Sequence, residues 1–323
     1  MTQGKNFLPM KKSARPILGH NGALLMTALH TLSFSREQKN ALPVIADLHL
    51  HTSHSHGQNT TEDMYRACIG RGLRVVGFSE HSPRPLGYGY PVDYQNKLKD
   101  SFPLYVSEVG DIAGRAGRDG AHVLLGLEVD YIPGQEAYAR ALCEAYPFDY
   151  IIGGLHFQGQ WGFDFSADDW KNTSRDEHYA VFSRYYDDLA SMCRTGLFHI
   201  AAHPDLIKIF SVDMFRDWLE TPRALPAIRN ALDAMKDCGV ILEISSAGLR
   251  KPCREIYPGP KIMELAAKLD LPISFASDAH CINTPAFAFD ELARYASSFG
   301  YRESCIVIQG EVHCLPFTSP PLL

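Results

Sequence analysis

The stretch Ile45-Ala46-Asp47-Leu48-His49-Leu50-His51-Thr52-Ser53-His54-Ser55-His56-Gly57 decides the fold class. Its apolar approach, Pro43 to Ala46, reads as a buried strand, and the imidazoles begin where that strand ends. Residues two apart on a strand share a face, so His49 and His51 can address one ion. Two neutral imidazoles on a rigid strand end are half of a transition-metal site. Standing alone, the pair would read as a chance histidine-rich loop. Four further strand ends carrying His81, His156, His203 and His280 overturn that reading.

Outward from this stretch the chain alternates two kinds of segment. Strand candidates cover 44–51, 75–81, 123–131, 150–156, 198–203, 240–245 and 273–278. Helix candidates lie between them: one opening at Thr60/Thr61 with Glu62 and Asp63 in its first turn, then 100–116, 136–145, 175–195, 223–238 and 260–269. Alternating βα units predict parallel strands, and seven of them predict a barrel rather than an open sheet. The expected organisation is a 1–43 extension, a single α/β domain over 44–317 and a 318–323 tail.

The polar residues fall on one rim of that barrel. Glu80 and His81 end the second strand, Glu128 and Asp130 the third, His156 the fourth, His203 the fifth, Glu243 the sixth, and Asp278-Ala279-His280 the seventh. The C-terminal ends of parallel barrel strands converge where such enzymes do their chemistry. Seven histidines with two carboxylates, spread over six strand ends, predict a polynuclear metal site.

Gross composition narrows the class. A formal charge of -6 with no basic block argues against a nucleic-acid surface. Eight cysteines without a CxxC pair fit reduced thiols in a cytosolic protein. No apolar run reaches the roughly 18 residues of a membrane span. The stretch 17–32 imitates a secretion signal weakly and is interrupted by His20, Asn21, Gly22 and His30, so it is read as uncleaved. A cytoplasmic location and a small-molecule partner are expected; the oligomeric state is not legible.

The motifs carry a resemblance over about residues 44–282. Asp47-Leu48-His49-Leu50-His51 with His56-Gly57, then Glu80-His81, Glu128, His156, His203 and Asp278-Ala279-His280, resembles the PHP (polymerase and histidinol phosphatase) superfamily. Four longer strings point to its histidinol-phosphatase branch: 126–134, Gly154-Leu155-His156-Phe157 with Trp161-Gly162-Phe163-Asp164, His203-Pro204-Asp205-Leu206-Ile207-Lys208, and 242–252. The resemblance implies a distorted (β/α)7 TIM-like barrel with three divalent ions, for which Zn, Mn and Fe suit the ligands alike. It implies His49, His51, Glu128 and Asp278 for the first ion, and His56, His81 and His280 for the second. His156 and His203 are implied for the third, with Glu128 as bridge. The gap before His56-Gly57 is one residue shorter than the family pattern, so His54 competes with His56; Gly57 favours His56.

The implied reaction is hydrolysis of L-histidinol phosphate, in histidine biosynthesis, by a hydroxide bridging two ions, with Glu128, Asp278 and His280 in the catalytic machinery. Asp47 shares a strand face with His49 and His51 and is expected to orient an imidazole. Trp161, Phe163 and Asp164 offer an aromatic slot and an anion for the amino-imidazole, and Arg250 a bidentate phosphate clamp. Lys208 and Lys251 are read as solvated lysines. The alternatives are a related phosphoesterase acting on another small phosphate ester or nucleotide, and a non-catalytic metal-binding barrel.

Overall fold

A computed structural model of the chain describes residues 44–89 and 92–318. The expected 1–43 extension, with His20 and His30, and all but the first residue of the 318–323 tail lie outside the described residues. In chain order the strands are β1 (Ala46–Leu50), β2 (Val75–Phe78), β3 (His122–Asp130), β4 (Tyr150–Gly154), the short pair β5 (Phe157–Gln158) and β6 (Trp161–Gly162), then β7 (Ile200–Ala201), β8 (Ile241–Ser245) and β9 (Ile273–Ala276). A hairpin of β10 (Glu303–Ile308) and β11 (Glu311–Pro316) follows. The helices are α1 (Thr61–Gly70), α2 (Val92–Ala116), α3 (Glu136–Cys143), α4 (Arg175–Arg194), α5 (Val212–Leu219), α6 (Ala224–Cys238), α7 (Pro260–Lys268) and α8 (Phe289–Ser298).

Seven strands pair in parallel in the order β1-β2-β3-β4-β7-β8-β9. Past its regular end, β9 returns to β1. Leu50 bridges Ala279 in parallel, His51 N donates to Ala279 O at 2.9 Å, and Ala279 N donates to His49 O at 3.2 Å. The sheet thus becomes a nearly closed barrel, and the alternation read from the sequence is realised as a single α/β domain. Such strands are covered on both faces, which is why β1, β2, β4, β8 and β9 are buried throughout.

Local chemistry sets the connections. Thr60 caps α1, its hydroxyl accepting from Asp63 N at 3.2 Å, and Ser174 with Glu177 forms a capping box on α4. The outer layer is apolar where helices meet: Tyr186 and Trp218 stack at 5.5 Å, and Phe182 meets Phe215 at 5.2 Å. Burying a side chain such as Phe182 contributes roughly 1.5–3 kcal/mol. Among the described residues no helix is long and apolar enough to cross a membrane.

Inside the barrel, Tyr150 fills the space beneath the rim. Its hydroxyl donates to Leu48 O at 2.6 Å, and a Cβ on Gly77 or Gly126 would meet the tyrosine at 2.3 Å. Glycine at both positions is therefore a packing requirement. Lys208 corrects an expectation. It is fully buried rather than solvated, pairing with Asp205 at 2.7 Å and Glu255 at 3.0 Å and donating to Ile256 O at 3.2 Å. These partners satisfy an ammonium that could not otherwise be taken out of water.

Candidate metal centre

The candidate ligands sit at or just past the strand ends, on the rim. His49 belongs to β1 and His51 follows it; His81, His156 and His203 lie in the segments after β2, β4 and β7. Glu128, on β3, stays in register with the chain after β2 because His81 and Glu128 form an isolated parallel bridge. His203 and Asp278 adopt positive φ, 27° and 49°, a conformation that costs about 1–3 kcal/mol and clusters at functional sites. Both are held: His203 N donates to Glu243 Oε1 at 3.0 Å, and Arg250 donates to Asp278 O at 3.2 Å.

At the centre lies Glu128, surrounded by imidazoles. Its Oε2 is 2.9 Å from His81 Nδ1, 3.3 Å from His49 Nε2 and 3.4 Å from His51 Nε2. Its Oε1 is 3.3 Å from His203 Nε2 and 3.6 Å from His156 Nε2. Yet His49 Nε2, His51 Nε2, His81 Nδ1, His280 Nε2 and Glu128 Oε2 are buried without a hydrogen-bond partner. One unsatisfied buried polar atom costs about 1–3 kcal/mol, so five at one point need a common partner. A cation is the partner their lone pairs fit. Three groups have ligand atoms within 4.8 Å of one another: His49, His51 and Asp278; His51, His81 and His280; and His49, Glu128 and His203. The residues present suit divalent metal, and the site binds it.

Outer carboxylates fix how the rings point. Glu243 Oε2 lies 2.7 Å from His49 Nδ1, Glu80 Oε1 3.3 Å from His51 Nδ1, and Asp130 Oδ1 2.6 Å from His156 Nδ1. Each ring nitrogen that meets a carboxylate leaves its opposite nitrogen aimed at the centre. The carboxylates are themselves anchored. Glu80 accepts from Thr52 N at 2.9 Å and Thr52 Oγ1 at 2.6 Å, and Asp130 accepts from Arg84 Nε at 2.5 Å. Asp47, expected in this role, does something else: it accepts from Ser277 N at 3.0 Å, Ser277 Oγ at 2.6 Å and Ala286 N at 3.0 Å, tying β1 to the segment after β9. His54 and His56 separate cleanly. The His54 ring turns to Glu108 on α2, at 2.9 Å, whereas the His56 ring lies 4.2 Å from that of His280 and 4.9 Å from that of His81.

Comparison with known proteins gives the family. A PHP domain model matches residues 47–247. A Deinococcus radiodurans protein named "Probable histidinol-phosphatase" is 32% identical over 261 residues, covering 80% of this chain and 95% of that protein. The chain belongs to the PHP family. A Schizosaccharomyces pombe protein of the same name is 22% identical, covering 83% of this chain and 90% of its own length. A crystal structure of histidinol phosphate phosphatase from Lactococcus lactis, complexed with Zn, L-histidinol and phosphate, is similar in fold. Its TM-score is 0.67 at 16% identity, covering 83% of this chain and 98% of that one.

In this PHP barrel a cavity of about 70 Å³ opens over the rim, lined by His56, His81, Arg84, Glu128, His156, Asp164, His203, Leu206, Ile209, Lys251, Asp278 and His280. Asp164 is thus at the cavity wall. Its two expected companions are elsewhere: Phe163 is wholly buried beside Tyr185, and Trp161 packs on Trp170 at 4.8 Å. Arg250 is also redirected, toward Ser277 O and Asp278 O, with its guanidinium 5.3 Å from the Phe287 ring. Arg84 and Lys251 are the cations at the wall. Arg84 carried no role in the sequence, although a basic residue just past the His81 strand end was the available signal.

The protein's own charges bias the site toward ionised carboxylates. Burial pushes the Glu128 carboxyl up, but His81, His49 and His203 outweigh it and hold the group well below the usual carboxylate range. Burial disfavours charge on His156, yet Asp130 beside it raises that imidazole to about 9. His280 goes the other way, lowered to about 3 by burial and by the neighbouring His51. An anionic Glu128 amid imidazoles is the donor set a divalent cation requires.

Proposed function

We propose that this PHP-family chain is a metal-dependent histidinol-phosphatase, hydrolysing L-histidinol phosphate to L-histidinol and phosphate. The observation that carries the reading is the set of partnerless buried ligand atoms converging on Glu128, beneath a wall that carries both cations and the Asp164 carboxylate. The relatives named for this activity and the histidinol and phosphate bound in the Lactococcus lactis enzyme support it.

Three divalent ions, of zinc, manganese or iron, are proposed. His49, His51, Glu128 and Asp278 would hold one, His56, His81 and His280 a second, and His156, His203 and Glu128 the third; the compact ligand groups, which share His49 and His51, support divalent metal at this point. Bound, such ions supply Lewis acidity toward phosphoryl oxygens and acidify water to near neutral pH. The chain's residues do the rest. Glu243, Glu80 and Asp130 hold His49, His51 and His156 so that the opposite ring nitrogen faces inward, where an ion would displace its proton. Arg84, pinned by Asp130, and Lys251 give the wall the positive charge that a phosphate dianion meets. Asp164 receives the cationic amino-imidazole, while Leu206 and Ile209 keep water from that side of the cavity. A cytoplasmic location fits a biosynthetic enzyme whose cysteines form no CxxC pair.

The test is steady-state kinetics on metal-analysed protein with L-histidinol phosphate, p-nitrophenyl phosphate and a mononucleotide. Histidinol phosphate should have the highest kcat/KM by at least about tenfold, and Asp164→Asn should lower that value far more than the value for p-nitrophenyl phosphate. A wild-type preference for either other ester would replace histidinol phosphate as the substrate. Equal losses for both substrates in the variant would remove Asp164 from specificity.

A further inference from the structure

The C-terminal hairpin carries chemistry that the phosphatase site does not use. β10 and β11 are joined by Gln309-Gly310, with φ values of 51° and 79°, the two-residue turn that suits the twist of a hairpin. Such a turn makes the flanking pair Ile308 and Glu311 a hydrogen-bonded one. Pairs then alternate, so Cys305 opposite Cys314, three steps on, is a non-hydrogen-bonded pair. At these positions Cα atoms are about 4.5 Å apart and the side chains lie on one face, within the span a disulfide bridges.

The side chains confirm the register. The two Sγ atoms are 2.6 Å apart. The pair is asymmetric: Cys314 is exposed and Cys305 is 4% exposed. A cleft of about 390 Å³ is lined by both cysteines and by Pro272, Gly300, Tyr301 and Arg302. It lies by the residues leading into β9, at the opposite end of that strand from Asp278.

We propose that Cys305 and Cys314 form a reversible dithiol–disulfide site, oxidised by small disulfides entering this cleft. The accessible Cys314, as thiolate, attacks one sulfur of the small disulfide, making a mixed disulfide and releasing one small thiol. Cys305 loses its proton to solvent and attacks Cys314 Sγ, expelling the second small thiol. The protein gives up two electrons and two protons; the small disulfide takes them up as two thiols. Burial pushes the Cys305 thiol up, which suits a resolving thiol that reacts only when the mixed disulfide is already beside it. The bond staples the hairpin whose neighbour Phe317 packs edge-on against Phe275 of β9, at 5.0 Å.

The experiment incubates the full-length protein with oxidised glutathione, then maps disulfides by mass spectrometry and measures melting temperature. Wild type should lose two hydrogens in a Cys305–Cys314 cross-link, melt about 5 °C higher, and return to the starting state with dithiothreitol. Cys305→Ala should instead retain one glutathione on Cys314, and Cys314→Ala should form no disulfide at Cys305. Persistence of both thiols in wild type overturns the proposal, as does a wild type that stops at the glutathione adduct of Cys314.

Discussion

Two buried carboxylates, Asp47 and Glu128, belong to strands of one barrel and differ in the partners that separate scaffold from site. Asp47 has backbone and hydroxyl donors on both oxygens, from Ser277 and Ala286. Burial moves its carboxyl upward, and those donors pull it only partly back. Glu128 is ringed by five imidazoles, keeps Oε2 without a hydrogen bond, and is held well below the usual carboxylate range by His81, His49 and His203. A satisfied buried carboxylate knits elements together; one left unsatisfied among other unsatisfied atoms is a ligand waiting for a cation. Burial alone does not tell them apart, since Asp47 is 0% and Glu128 1% exposed.

Substitution should expose the contrast. Glu128→Gln is expected to have the largest effect: kcat/KM falls by more than about a hundredfold, metal analysis shows two ions lost together, and the melting temperature of chelated protein holds or rises. Retention of all metal would dissolve the distinction. His56→Ala should cost more than about tenfold in turnover and lower metal content, while His54→Ala stays within about threefold of wild type. A reversed ranking would transfer the ligand role to the ring now turned toward Glu108. Glu243→Gln keeps the shape beside His49 but weakens its orientation, and metal titration should show a 10–100-fold loss of affinity, as is typical of such outer partners. Asp47→Asn should leave metal content intact and turnover within about tenfold, yet set an amide donor against the donors of Ser277 and Ala286. Thermal or urea unfolding should then report about 1–3 kcal/mol less stability. Metal loss in that variant with unchanged stability would show that Asp47 belongs to the site after all.

What the sequence disclosed follows the same division. All seven barrel strands were legible because each is an apolar run ending in a charged or imidazole-bearing residue, although β7 shrinks to Ile200–Ala201 before the chain turns toward His203. Two short helices and the hairpin were not read from the sequence. α8 opens at Ala288, in left-handed conformation and with no capping side chain, and α5 opens at Ser211 without a capping bond. The β10–β11 hairpin turns on Gln309-Gly310 rather than the Asn-Gly that advertises such a turn. At the site, residue identity was legible because few chemistries need so many imidazoles at strand ends. Direction was not: Arg250 and Arg84 are long and flexible, and where their guanidinium groups settle depends on carbonyls and carboxylates brought close only by the closed barrel. Asp47 failed for a related reason, since its partners lie 230 positions away, at Ser277.

That separation also sets a timetable. His49 and His51 are synthesised well before Asp278, His280 and the Ala279 edge that meets Leu50, which come almost at the close of the domain. At about 5–20 residues per second, the first imidazoles wait on the order of ten to fifty seconds for their last companions. Throughout that interval a nascent chain offers histidine pairs but no enclosed site, so whatever ion it meets is bound loosely and exchanges. The ligand set is complete only when the seventh strand seals against the first.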